Sequence, residues 1–393
     1  MPDFDLKLLT MNNLTPFSIT APEAPKKSRF FCTKTFTSHT ASSTLPVAHA
    51  NISPFQSMKN KLSLILGAVS LAATVGAHAQ TAVTDPVGYV TSTVAASSGA
   101  VRGETLYGAT LFNKVEFSGV VATVAGTTLN FTGTPFTAGA FGPRFFIEVT
   151  NGAGEGVNTD IVSNTANSIV TLDDISGFIT AGTSTVKIRA HQTVSTVFGA
   201  ANSVGLLAGA SLDDADQIVL LDPVTQLPKV IFFSTDEFSP GWVDATLNPA
   251  ADEIIAPGQG VIIKRKAATN LSIVQVGHVK LGKTVVPVEK GENIIAVPLA
   301  TGVTIDNSGL GATVTKGPDL ASADQVIVGN GLNSFTTLFN STDEFSPGWI
   351  DASLNPQGTF LLKEGTAVLL KNTAPTVGNT AYNWTFPAQV VAP

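Results

Sequence analysis

From residue 104 to 190 apolar and polar positions alternate in short runs, broken by clusters of Gly, Asn, Thr and Ala. Period-two alternation over four to eight residues, bounded by turn formers, is the signature of half-buried strands. The pattern predicts strands at 104–111, 120–124, 128–132, 144–150, 160–163, 168–172 and 185–190. Phe145-Phe146-Ile147-Glu148-Val149 mixes apolar runs with alternation, as a strand in a sandwich or small barrel does. No long stretch shows apolar residues at helical spacing. The expected fold class is therefore all-β, in several small sandwich or barrel-like units.

One stretch occurs twice. Ser234–Pro249 reads STDEFSPGWVDATLNP, and Ser341–Pro356 reads STDEFSPGWIDASLNP, with fourteen of sixteen positions identical. Around it the order of elements also repeats: Ala215-Asp216-Gln217 returns as Ala323-Asp324-Gln325, and 254–264 returns as 360–371. The offset is 108 residues at the Asp-Gln pair and 107 from the motif onward. A shorter echo links Gly103–Leu111 with Gly291–Leu299. A duplicated unit of about a hundred residues is the size of one small domain. The expected organisation is an N-terminal β domain at 80–190 and β repeat units at 191–279 and 280–393.

The front of the chain has a different character. Met58-Lys59-Asn60-Lys61 leads into LSLILGAVSLAATVGA and then Ala77-His78-Ala79, the order of a secretory signal peptide cut before Gln80. Residues 1–57, which carry the lone Cys32, read as an extension upstream of the true start at Met58. The expected mature chain holds no cysteine, hence no disulfide, catalytic thiol or lipid-anchoring cysteine. It keeps 15 basic and 26 acidic residues, a balance that argues against nucleic acid and anionic membrane as partners. The expected localisation is periplasmic, cell-surface or extracellular. Most predicted strands are too short for an outer-membrane barrel.

Three blocks carry a resemblance. Thr84-Asp85-Pro86-Val87-Gly88-Tyr89-Val90-Thr91 opens the mature chain, Asn151–Asp173 reads NGAGEGVNTDIVSNTANSIVTLD, and Pro257-Gly258-Gln259-Gly260 forms a turn. In these the chain resembles a family of uncharacterised secreted bacterial proteins that open on a DPVGYVT-like motif. The resemblance implies secretion and a β-rich fold and brings no activity with it.

The repeated motif reads first as turn chemistry. Ser234-x-x-Glu237 has the form of a capping box, and Ser239-Pro240-Gly241-Trp242 suits a type II turn. Trp242 and Phe238 are then expected to plug the core beneath. A functional reading takes Asp236, Glu237, Trp242 and Asp244, with Asp343, Glu344, Trp349 and Asp351 in the second copy, as binding residues. Carboxylates beside an exposed indole would make a carbohydrate platform, or would supply oxygens to Ca²⁺, the one cofactor worth weighing. A glycosidase carboxylate pair is a third reading, disfavoured because neighbouring strand residues face opposite ways. His191 and His278 stand in unrelated contexts, against zinc or a Ser-His-Asp triad. Asp213-Asp214-x-Asp216 resembles half a Ca²⁺ loop without its downstream ligands. The function expected is a secreted non-enzymatic structural or interaction protein, its partner unknown and either an extracellular glycan or a second copy. The alternative is a carbohydrate-binding protein using the Trp and carboxylate motif.

Overall fold

A computed structural model describes residues 85–372 and 380–389. The expected leader at 58–79, the segment 1–57 and Cys32 lie outside them. The fold is all-β. The described residues hold short antiparallel strands, one five-residue α-helix at Val194–Phe198 and three 3₁₀ turns. No helix among them is long and apolar enough to cross a membrane.

Three hydrophobic cores organise the strands, and their boundaries differ from those expected. The strand Gly103–Gly108 pairs with Gly260–Arg265, joining the sheet of Gln217–Leu221, Pro228–Ser234 and Gly241–Asp244. Val87–Val94 pairs along its whole length with Leu271–His278. Val94 and Tyr107 accordingly share a core with Ile218, Ile231, Trp242 and Ile263. Residues 87–113 therefore complete the first repeat, which the expected boundary at residue 190 had cut apart. The echo between 103–111 and 291–299 is a true equivalence, because Gly291–Ala296 pairs with Ala367–Asn372 just as Gly103–Gly108 pairs with Gly260–Arg265. The second unit repeats the arrangement, with Thr284–Val288 on Tyr382–Phe386 and a five-stranded sheet of matching order.

The remaining residues, about 114–190, are inserted into the first repeat and enclose their own core of Leu129, Ile147, Ile161, Ile169 and Ile188. Their sheet closes on itself. Val115–Val120 pairs with Thr185–Ala190, while its continuation Thr123–Ala125 pairs with Thr128–Asn130 at the other edge. The expected strand at 120–124 is where this single strand bends between its two partners. Phe117, Phe131 and Phe136 fill one end of the barrel with edge-to-face contacts at 4.7–5.3 Å.

The two repeats meet around a pseudo-two-fold axis, and the contacts are reciprocal. The Gly108 amide donates to the Gly365 carbonyl at 3.2 Å, and the equivalent Ala296 amide donates to Gly258 at 2.9 Å. Tyr107 bridges Thr366 as Ile295 bridges Gln259. Two hairpin tips clasp the opposite repeat: Asn333 Oδ1 accepts from the Glu104 amide at 2.8 Å, and Gln226 Oε1 from the Glu292 amide at 2.7 Å. Both clasp residues adopt positive φ, 56° at Asn333 and 59° at Gln226. A self-complementary patch of this kind is what two identical subunits form in a symmetric dimer. Here the two halves lie in one chain.

At the axis the halves have diverged. Gly108 and Gly260 in the first repeat face Ala296 and Ala367, their own counterparts, in the second. A Cβ on Gly108 would stand 2.1 Å from the Thr366 carbonyl oxygen, and one on Gly260 would stand 2.5 Å from the Ala367 Cβ. The seam leaves room for a methyl group on one side only.

Candidate functional site

The repeated loop joins the last two strands of each five-stranded sheet, on the edge away from the seam. Its turn is built from side-chain acceptors. Ser234 Oγ accepts from the Asp236 amide at 3.1 Å, and Asp236 Oδ1 accepts from the amides of Phe238 and Ser239 at 3.0 and 3.1 Å. Ser341 and Asp343 repeat these bonds in the second copy, at 2.9–3.1 Å. This corrects the capping box: the serine caps the amide two residues on, the aspartate takes the next amides, and no helical turn forms. Gly241 and Gly348 leave the loop at φ 99° and 92°, the positive value that the Pro-Gly pair was expected to need.

The tryptophans are not a platform. Trp242 and Trp349 are 3 % and 4 % exposed. Trp242 Nε1 donates to the Gly199 carbonyl at 2.8 Å, and the ring meets Phe233 edge-on at 5.1 Å. The short helix 194–198 supplies this acceptor at its end and places Phe198 6.0 Å from the indole. Both faces of this strand are covered, Trp242 by the main core and Val243 by a small cluster with Ala215 and Phe232. Trp242 occupies the inward position of its strand, and an indole in a core needs an N–H acceptor, which it has. The aromatic residue that the loop offers to solvent is the phenylalanine. Phe238 is 85 % and Phe345 86 % exposed, the two most exposed large apolar side chains described. The expectation that Phe238 plugs the core is thus reversed.

Asp244 and Asp351 are turn organisers. Asp244 Oδ1 accepts from the Thr246 amide and hydroxyl and the Asn248 amide at 2.7–3.0 Å. Asp351 holds Ser353 and Asn355 likewise, and its Oδ2 accepts from Gln357 Nε2 at 3.0 Å. Desolvation opposes ionisation of both, yet these hydrogen bonds outweigh it and hold the carboxyls below their usual range. The turns force Leu247 and Leu354 to φ 64° and 62°, costing about 1–2 kcal/mol each relative to a right-handed residue. Of the six acidic residues in the two motif copies, Glu237 and Glu344 are the exposed ones. Asp236 and Glu237 therefore differ in role, one holding the turn and the other charging its rim.

The other candidates have structural partners. Asp216 is buried and forms an ion pair with Arg265 at 2.6 Å, while Asp214 pairs with Lys266 at 3.0 Å. Among the described residues no three His, Cys, Asp or Glu side chains converge to hold a metal ion. His191 is buried, with Nε2 3.0 Å from Asp160 and its ring against Phe146 at 5.1 Å.

Sequence reasoning missed one charged cluster. Arg189, fully buried, pairs with Asp85 and with Glu148 Oε1 at 3.1 Å. Lys280 Nζ reaches Glu148 Oε2 at 2.7 Å, and Lys187 Nζ reaches Asp85 at 2.7 Å. Burial raises both acids, but the surrounding cations more than reverse it and both stay below the usual range. The cluster ties the opening Asp85-Pro86-Val87 to the inserted barrel and, through Lys280, to the entrance of the second repeat. Its sequence signal was an arginine on the strand Thr185–Ala190 beside Ile188, where an apolar residue would keep the run continuous.

Comparison with protein-family models, with curated proteins and with solved structures yields no match for this chain.

Proposed function

We propose that the chain is a secreted, non-catalytic interaction protein that displays one binding loop twice. The observation that carries this is the pair of exposed phenylalanines, Phe238 and Phe345, held by identical hydrogen bonds at the outer edges of two pseudo-symmetric sheets. An apolar ring left in solvent forgoes the stabilisation of burial, on the order of 25 cal/mol per Å², and so gives the fold nothing. Keeping it at both loops, beside Glu237 or Glu344, fits recognition by a partner with an apolar pocket and a basic rim. Two copies on one rigid chain allow one molecule to bridge two partners, with avidity set by their spacing.

Labelled protein added to the cells that secrete it tests the reading. Retention should fall at least tenfold in the Phe238→Ala/Phe345→Ala double variant and less in either single one. Equal retention of the double variant and the parent refutes it. Turnover of a broad glycoside and ester panel by the purified protein refutes the non-catalytic part.

A further inference from the structure

The pseudo-two-fold seam carries two clefts at equivalent places, and they have diverged. The larger, about 340 Å³, lies between strands 91–93 and 104–106 of the first repeat and the hairpin 329–335 and turn 363–367 of the second. Its twin, about 140 Å³, is formed by the opposite pieces, with Ala256 in place of Lys363, Pro257 in place of Glu364 and Asn293 in place of Thr105. Gly365 and Gly258 occupy the same place in each. The backbone frame is thus kept twice, and only the larger copy carries charged side chains; the polar side chains of the twin, Gln259 and Asn293, are taken up by backbone groups. Only the larger cleft reaches the ~300–1,000 Å³ of small-ligand sites.

From this lining we infer that the larger cleft binds a neutral saccharide. Its Lys363 and Glu364 side chains make no hydrogen bond or ion pair with any described residue, unlike Glu104 nearby, which pairs with Lys264 at 3.2 Å. Thr105 Oγ1 accepts from the Ala95 amide at 2.9 Å, which leaves its proton to donate outward. Ser92 Oγ donates to the Gly365 carbonyl at 2.9 Å and keeps lone pairs to accept. The first repeat therefore offers one hydroxyl donor and one hydroxyl acceptor to the cleft, and the second adds one cation and one anion. That arrangement suits closely spaced hydroxyl groups and disfavours a ligand of net charge. The half-buried Phe335 ring supplies an apolar wall against which the C–H face of a pyranose can pack. The hairpin bearing Phe335 is fixed across the seam by Asn333, whose Nδ2 also donates to the Ala96 carbonyl at 2.9 Å. The cleft is thus pre-formed, and little ordering opposes binding.

This inference is independent of the phenylalanine loops, which lie at the far edges of the sheets. Isothermal titration of the secreted protein with a panel of neutral disaccharides tests it. Co-sedimentation with insoluble neutral polysaccharides separates free sugar from polymer chains as the source. Binding to at least one probe is expected, weakened about tenfold or more by Phe335→Ala and by Glu364→Gln, and unchanged by Pro257→Ala in the twin cleft. Glu364→Gln alters only a half-exposed side-chain end and decides the matter if Phe335→Ala fails to fold. No binding to any soluble or polymeric probe overturns the inference. So does binding that neither lining variant weakens, or binding that Pro257→Ala weakens instead.

Discussion

The asymmetry at the pseudo-two-fold axis gives a sharp test of the seam. A methyl group added by Gly260→Ala would stand 2.5 Å from the Ala367 Cβ, 3.0 Å from Ile294 Cγ2 and 3.2 Å from the Ala296 amide nitrogen. The first contact cannot persist, and overpacking of a rigid seam costs about 1–3 kcal/mol. Ala367→Gly alone removes a buried methyl group and loosens the backbone, for about 1 kcal/mol. The double variant moves the methyl group across the axis. It removes the worst clash and leaves the two milder contacts, where the Ile294 side chain can give. Its cost should fall short of the sum of the two singles by about 1–2 kcal/mol, a coupling well outside the additivity expected of independent sites. Thermal unfolding followed by circular dichroism reads this directly, at about 2–4 °C per kcal/mol for a chain of this size. Additive losses, or a neutral Gly260→Ala, would refute the packing described at the seam.

Other outcomes follow from the loop and the charge cluster. Trp242→Ala should cost about 3–5 kcal/mol through loss of the buried indole, whereas Phe238→Ala should stay within about 0.5 kcal/mol in the same denaturant titration. Asp85→Asn removes one partner of a buried ion network and should cost about 3–5 kcal/mol. Asp85 and Glu148 are held below their usual values in the folded chain, so they take up protons first in the unfolded chain. Their contribution is complete at neutral pH and is lost as pH falls below about 4.5 and through the depressed folded values. A urea-melt series from pH 7 to pH 3 should show that loss, and Asp85→Asn should flatten it. Asp244→Ala should free the amides of Thr246 and Asn248, costing about 1–3 kcal/mol and speeding their hydrogen exchange.

Strands, turns and the duplication were legible in the sequence because each leaves a local mark. Alternation gave 145–149 and 185–190 nearly to the residue, and Pro240-Gly241 gave the positive φ that follows. What was lost was non-local. Nothing near Gly103–Gly108 says that its partner lies more than 150 residues away at Gly260–Arg265, and a barrel inserted between the two hides the pairing. The short echo with 291–299 held that information in too few residues to weigh against the longer block that separates them. Of the motif's two aromatics, the turn reading placed Trp242 rightly in the core and Phe238 wrongly beside it, because polarity alone does not set facing. Strand register puts Trp242 inward, and the Asp236 turn throws Phe238 outward. The buried arginine escaped notice because charge implies surface until its partners, here Asp85 and Glu148, are brought from distant strands.

The reciprocal seam is the centre of this account, and disulfide trapping tests it most directly. The one native cysteine, Cys32, lies before Gln80, so pairs introduced after it report without background once Cys32 is removed or replaced. Cysteines at Glu104 and Asn333, and separately at Glu292 and Gln226, should each form an intramolecular bond under mild oxidation. The exchanged pairs, Glu104 with Gln226 and Glu292 with Asn333, should remain reduced. Trapping of the exchanged pairs, or of only one clasp, would contradict the pseudo-two-fold arrangement.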